Sequence, residues 1–428
     1  MKTFFIKTYG CQMNELDSEM LAGILEKNNL TQVDSEESAD LIIYNTCSVR
    51  DLAERKIMGK IGLLSRIKKK KIIGIAGCMA MIKKEKLLKK FPYINFILGP
   101  NNISDIENIL KKVIEEKKIL KTDEHKNFLD YTITKRKNKI KAYISIIKGC
   151  NNFCSYCIVP YTRGREVSKD PKKIIEECKY LQEQGYKEII LLGQNVNSYG
   201  KEFNIHFSDL LYKLGKINQI KRIRFLTSHP KDLKEDLMYA MRDIPSVCEY
   251  LHLPLQSGSN KILKMMNRGY TKEDYLKKIE KLKKIIPNIK FGTDIIIGFP
   301  NETIKDFEET YNLFKQINFS NSYIFKYSPR KNTYAYKLKD EISQEEKKIR
   351  MDKLFDLQKK ILEEEAKKEI GKSYEILIER LNKDNRFLKG RTRCNKKVII
   401  EGKKDLIGSF KNVILKKFTH QTFTGKLI

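Results

Sequence analysis

A chain of 428 residues is too long for one hydrophobic core, so two or three domains are expected. With 41% hydrophobic and 32% charged residues it is too apolar for intrinsic disorder, while its longest apolar runs fall far short of the roughly 20 residues a membrane span needs. Lys and Arg outnumber Asp and Glu by 85 to 54, an excess of 31 that suits a polyanionic partner such as RNA or DNA, although runs such as KKIEKLKKII near Lys277 also fit solvated helix faces.

The N-terminus enters MKTFFIKTYG directly, with no apolar leader and no small-residue cleavage site, which implies a cytoplasmic address. The first hundred residues then alternate strand and helix signals: KTFFIKTYG, a helix from about Asp17 to Lys27, DLIIYNT, a helix from Val49, KIIGIAG, a Lys-rich helix, and INFILGP. This βαβ pattern predicts a parallel sheet, whose ligand groups gather beyond the carboxyl ends of its strands. Cys11, Cys47 and Cys78 each follow one of these apolar runs, at intervals of 36 and 31 residues, about one βαβ unit each. The pattern brings three thiols to one sheet edge, a placement that three ordinary buried cysteines would not share. In a cytosolic chain the nine cysteines read as metal ligands, nucleophiles or buried thiols rather than disulfides.

Between about Lys121 and Lys141 the sequence is polar and charged, as a linker or short hairpin would be. A second series follows, with strands at AYISIIKG, KEIILLGQN, RIRFLTSH, EYLHLPLQS, FGTDIIIGF and NSYIFKYSP. Six such strands make a partial barrel with its chemistry at their carboxyl ends. The loop after the first strand carries Cys150, Cys154 and Cys157 as C-x3-C-x2-C. Three thiolates hold three corners of a 4Fe-4S cube and leave one iron open, where S-adenosylmethionine (SAM) can chelate and be cleaved reductively to a deoxyadenosyl radical. A structural zinc site is the alternative, but it needs a fourth ligand, and the loop contains no further Cys or His.

Other polar residues at the ends of these strands, Gln194, Asn195, Ser228, Gln256 and Asp294, are candidates to grip SAM or a flipped base, with loop satisfaction as their alternative role. Tyr156 fits shielding of the cluster or packing on SAM, and Gly298 fits either close backbone approach to the SAM adenine or a plain turn. Arg163 and Arg165 fit an RNA phosphate, the SAM carboxylate or a structural ion pair. His229 and His252 read as structural, Cys178 and Cys248 as core thiols, and Cys394 has no assigned role. A charged helical stretch from about Gln344 to Glu369, with Leu354, Leu357, Ile361 and Leu362 as its apolar stripe, reads as a connector packed on the barrel. From Gly371 onward, YEILIE, RFLKGRT, KKVIIEG and LIGSFKNVILKKF suit a small β-barrel that binds nucleic acid, and 15 Lys or Arg against five Asp or Glu make it basic.

In this order, TYGCQMNELDSE, NTCSVRDLAERK, GCMA, GCNNFCSYCIVPYTRGRE, LLGQNVNSYG, TSHP, HLPLQSGSN and TDIIIGFPNET resemble the methylthiotransferases of the radical SAM superfamily from end to end. The first two motifs look most like the MiaB type, and the basic tail is similar to a TRAM domain. The resemblance implies an α/β chain divided at 1–118 (N-terminal parallel-sheet domain), 119–140 (linker), 141–368 (radical SAM core, a partial (β/α)6 barrel) and 369–428 (TRAM barrel).

It further implies two 4Fe-4S clusters, an auxiliary one on Cys11, Cys47 and Cys78 and a SAM-binding one on Cys150, Cys154 and Cys157, with two SAM molecules per turnover. The implied reaction is methylthiolation of C2 of N(6)-isopentenyl adenosine at position 37 of tRNA, by a monomer served by an electron donor and a sulfur carrier. Threonylcarbamoyl adenosine or a ribosomal protein are the alternative targets, and a zinc-dependent RNA-binding protein is the non-enzymatic alternative.

Overall fold

The computed structural model describes residues 1–48, 51–64, 71–115, 118–123, 136–382 and 385–428. The N-terminal domain runs β1 (Thr3–Thr8), α1 (Gln12–Lys27), β2 (Thr31–Gln32), β3 (Leu41–Thr46), α2 (Asp51–Leu63), β4 (Ile72–Gly77), α3 (Cys78–Lys83), α4 (Glu85–Lys90), β5 (Phe96–Leu98), α5 (Ile106–Ile114) and β6 (Ile119–Lys121). Its strands are all parallel in the order β2-β1-β3-β4-β5-β6. Central strand β3 is buried throughout because helices cover both faces. Leu41 and Ile43 pack with Leu21, Leu25, Ile106 and Leu110 on one side. On the other, Ile42 and Tyr44 pack with Ile57, Ile61 and Met79.

Helix α1 begins five residues earlier than the sequence pattern indicates, because Cys11 takes the extended N-cap conformation without the Ser, Thr, Asp or Asn that usually marks one. The Lys-rich helix is divided at Lys84, whose φ of 39° breaks the helical turn. Strand β6 pairs with β5 and occupies the first three residues of the expected 119–140 linker, since Leu120 finds apolar packing there. Of that linker, residues 124–135 lie outside the described residues, as do Val49 and Arg50 at the expected start of the second helix.

The second domain contains β7 (Lys141–Ser145), the two-residue strands β8 (Ile147–Lys148) and β9 (Val167–Ser168), α6 (Val159–Arg163), α7 (Pro171–Glu183), β10 (Glu188–Leu192), α8 (Phe207–Gly215), β11 (Arg222–Phe225), α9 (Glu235–Asp243), β12 (Tyr250–His252), α10 (Asn260–Met265), α11 (Lys272–Ile285), β13 (Lys290–Ile297), α12 (Ile304–Ile317) and β14 (Asn321–Lys326). The six expected strands form two parallel triplets, β11-β10-β7 and β12-β13-β14, bridged by Ile223 and Val247. Alternation along the strands sends Ile189, Leu191, Ile223 and Phe225 outward into a core with α7, α8 and α9. Their neighbours Tyr143, Ile190 and Leu192 face inward and meet Met13, Leu16 and Met20 of α1. The N-terminal domain thus lays its first helix against the concave face of the barrel.

Helix α13 (Gln344–Glu369) packs Leu354, Leu357 and Ile361 onto the barrel core and leads into the tail. There β15 (Ser373–Leu381), β16 (Phe387–Thr392), β17 (Lys397–Glu401), β18 (Phe410–Thr419) and β19 (Thr422–Leu427) close as β15-β16-β17-β19-β18. The last apolar run therefore contributes β18, and β19 is a strand that the sequence pattern did not single out. The tail docks through Arg222 and Arg224 on β11: Arg222 donates to Arg391 O at 2.6 Å, and Arg224 donates to Arg393 O at 2.7 Å and Thr392 O at 2.8 Å.

Candidate active site

Strands β1, β3 and β4 are immediate neighbours, so the residues after them share one sheet edge: Cys11 caps α1, Cys47 follows β3 and Cys78 opens α3. A buried amide network sets their spacing. Asn14 Nδ2 donates to Asn45 Oδ1 at 3.1 Å and Thr46 O at 3.2 Å, and Asn45 Nδ2 returns bonds to Asn14 O at 2.8 Å and Ser18 Oγ at 2.9 Å. The Cys11 thiol donates to Asn14 Oδ1 at 3.3 Å. Close approach also needs a missing side chain at Gly77, where φ is +91° and an added Cβ would meet Thr46 O at 2.4 Å. A Cβ on Gly10 would lie 2.8 Å from that of Cys47, so the Cys11 and Cys47 loops touch.

Burial pushes the Cys78 thiol above its ordinary pKa, and the neighbouring Arg163 guanidinium opposes that shift. Arg163 ends α6, just beyond the second cysteine loop, and its Nη2 lies 2.6 Å from Asp17 Oδ2 of α1. Of the three roles open to Arg163 in the sequence, the buried ion pair is the one found. Lys148, two residues before Cys150, is held down to about 8 by burial and by Arg163. A cavity of about 50 Å³ between the domains is lined by Asp17, Lys148 and Arg163 among others.

The loop of Cys150, Cys154 and Cys157 leaves β8 through Gly149, whose φ is +75° and where a Cβ would meet Arg165 O at 1.9 Å. The Gly149 N–H donates to Gln194 Oε1 at 2.6 Å, and Cys150 N–H to Gly164 O at 3.1 Å. Burial raises the Cys150 thiol to about 11 and also raises Cys157, and each lies within the electrostatic reach of Cys154. Arg268 donates to Cys154 Sγ at 3.3 Å, to Tyr156 Oη at 3.4 Å and to Pro254 O at 2.9 Å. His229 Nε2 lies 3.9 Å from Cys154 Sγ. Its Nδ1 accepts from Lys231 N–H at 3.2 Å, which assigns the ring proton to Nε2, facing the sulfur. Burial, then Arg268, holds this imidazole neutral, with its pKa down at about 2.

Asn195 donates to Asp232 Oδ2 at 2.6 Å, and Asp232 also accepts from Asn152 of the cysteine loop at 3.3 Å. Among the described residues, the buried atoms at strand ends without a partner include Ser145 Oγ, Asn195 Oδ1, Ser228 Oγ and Gln256 Oε1. Thr227 and Gln256 are held at φ 68° and 70°, strained values for residues other than glycine. Unsatisfied buried groups at strained strand ends are the mark of a ligand site, and they fit a polar cofactor such as SAM beside the loop. Asp294 pairs with His252 Nε2 at 3.3 Å inside the barrel. Gly298 has φ +68° and donates its N–H to Glu302 Oε2 at 2.8 Å, and the space a Cβ would take holds the Lys347 stem. The exposed Arg165 stacks over Phe153, 4.3 Å from the ring centroid.

Three thiols are the donors that three corners of a 4Fe-4S cube take. Among the described residues no three His, Cys, Asp or Glu gather tightly enough for a single ion, whereas a cube holds its ligands at separate corners and hence farther apart. Cys178 and Cys248 are buried elsewhere in the barrel. Cys394, 3.3 Å from Thr392 Oγ1, lines a cavity of about 270 Å³ with Gln12, Tyr250, Tyr323, Arg391, Lys396 and Phe423. That cavity runs from the neighbour of Cys11 to the basic tail. Arg268, Asp17, Asn14, Asn45 and Asp232 were not singled out in the sequence, because lone polar residues carry no spacing signal; only adjacency to a cysteine marks Asn14 and Asp17.

Residues 144–314 match the Radical SAM superfamily, residues 3–99 match Uncharacterized protein family UPF0004, and residues 367–428 match the TRAM domain. The chain is 52% identical, over 100% of its length and 96% of the relative's, to a protein of Protochlamydia amoebophila (strain UWE25) named tRNA-2-methylthio-N(6)-dimethylallyladenosine synthase. Proteins of the same name from Thermoanaerobacter sp. (strain X514) and Clostridium botulinum (strain Langeland / NCTC 10281 / Type F) are each 46% identical over 99% of this chain and cover 92% and 97% of their own lengths. Among solved structures, the radical S-adenosylmethionine methyltransferase TsrM from Kitasatospora setae aligns with TM-score 0.55 and 12% identity over 76% of this chain and 72% of its own, a likeness of fold.

Proposed function

The chain belongs to the MiaB-type methylthiotransferases of the radical SAM superfamily, and from that membership we propose a two-cluster tRNA-modifying mechanism for it. It is a radical SAM transferase whose substrate is tRNA, and it converts N(6)-isopentenyl (dimethylallyl) adenosine to its 2-methylthio derivative. The base modified is the adenosine at position 37, next to the anticodon. The reading is carried by one observation: two separate sets of three cysteines, one after neighbouring parallel strands and one within the loop after β8, in a chain 52% identical over its whole length to a tRNA-2-methylthio-N(6)-dimethylallyladenosine synthase.

Cys150, Cys154 and Cys157 would hold one 4Fe-4S cluster and Cys11, Cys47 and Cys78 a second. With two SAM molecules per turnover, these groups supply the methylated sulfur and the hydrogen-abstracting radical that an unacidic aromatic C–H requires. The protein's own part is holding and screening. Gln194 fixes the loop at Gly149, and Asn195 fixes it through Asp232 and Asn152. Asn195 Oδ1, Ser228 Oγ and Gln256 Oε1 offer polar contacts to SAM, and Tyr156 and Gly298 border the same end of the barrel. Asp294, held by His252, faces the interior where the base arrives.

The 270 Å³ cavity, lined by Tyr250 and Tyr323 and reaching the basic tail, is where that base would be received. Among the described residues no helix is long and apolar enough to cross a membrane. The proposed enzyme works in the cytoplasm as a monomer with an electron donor and a sulfur carrier. Mass spectrometry of tRNA nucleosides from cells lacking the gene tests the assignment. Loss of the methylthio group with retention of isopentenyl adenosine is expected, restored by the wild-type gene and not by Cys150→Ala. Full methylthio levels in the deletion strain, with no second enzyme of the type, would contradict it.

A further inference from the structure

Arg163 belongs to one cysteine site by sequence and to the other by contact. It lies six residues after Cys157, at the end of α6, while its partner Asp17 lies six residues after Cys11, on α1. The ion pair is 2.6 Å long, and the two side chains are only 6% and 7% exposed. Covered to this degree, the guanidinium is closed to an RNA phosphate. It lies instead on the Cys78 side, where α6 packs against α3, and both Cys78 and Cys11 are within its electrostatic reach. Its backbone oxygen accepts from Asn101 Nδ2 at 3.5 Å, which fastens the same residue to the N-terminal domain.

We propose that Arg163 is a positioning residue shared by both sites, whose buried charge raises the reduction potential of the auxiliary cluster, with Asp17 as the counter-charge that limits the rise. The inference rests on the two-cluster reading given above. Reduction adds one negative charge to a cluster, and a fixed positive charge in a poorly screened interior favours that state, while a fixed negative charge opposes it.

The test is a redox titration followed by electron paramagnetic resonance on the reconstituted full-length chain, in a Cys150→Ala, Cys154→Ala, Cys157→Ala background that leaves only the auxiliary signal. Arg163→Gln is expected to move the midpoint downward, Arg163→Lys to move it less, and Asp17→Asn to move it upward, at unchanged iron per chain. Opposite signs from the two halves of one ion pair are what a merely structural contact would not produce. Should Arg163→Gln fail to fold, Arg163→Lys and Asp17→Asn carry the test by themselves. An unmoved midpoint, or shifts of the same sign from both partners, would overturn the proposal while leaving the two-cluster reading intact. A parent chain without any auxiliary signal would overturn both.

Discussion

At the scale of single residues, the two cysteine sites depend on groups that are not ligands. Asn45 makes two donor bonds and accepts a third inside the N-terminal domain, all buried. Truncation by Asn45→Ala removes three buried hydrogen bonds, each with a net contribution of about 0.5–1.5 kcal/mol. The expected outcome is a lower melting temperature together with selective loss of iron from the auxiliary site, read by iron analysis in the Cys150→Ala, Cys154→Ala, Cys157→Ala background. Gly149→Ala is harsher, since its Cβ would overlap Arg165 O at 1.9 Å. It should abolish iron loading at the second site and spare the first. The six cysteines were legible because their spacing repeats with the strands or closes within one loop. Arg268 and Asp232 were not, because what brings them to Cys154 and Asn152 is the fold of distant loops, 114 and 80 residues away in the chain.

Elements carry the next level of the account. Helix α1 caps the auxiliary site at Cys11 and then covers the concave face of the barrel with Met13, Leu16 and Met20. Strand positions were readable from apolar runs, and all six barrel strands lie where those runs predicted. The inward role of α1 was not readable, since its apolar residues serve two partners and give only a weak periodic stripe. Leu16→Ala removes a side chain that is 2% exposed against Ile190 and Leu192. A destabilisation of about 2–5 kcal/mol is expected by chemical denaturation, and the lost contact should also loosen the two domains in a proteolysis assay.

For the whole molecule, the tail barrel is locked to the core through charges that have no water to fall back on. Arg224 bonds Glu188 at 3.0 Å as well as two tail carbonyls, and Glu188 is 2% exposed. Arg224→Ala strands that carboxylate, and a loss of about 3–5 kcal/mol is expected from breaking a buried pair, seen as an earlier unfolding midpoint with the tail released first. The basic excess of the tail predicts tRNA affinity that falls steeply with salt.

The central claim is that two thiol triads on one chain each hold their own cluster with one iron left open. Iron and sulfide analysis of reconstituted protein tests it most directly: about eight irons per wild-type chain, and about four when either Cys11, Cys47 and Cys78 or Cys150, Cys154 and Cys157 are replaced by Ala. Four irons in the wild type, or no loss of iron on replacing the first set, would contradict the account.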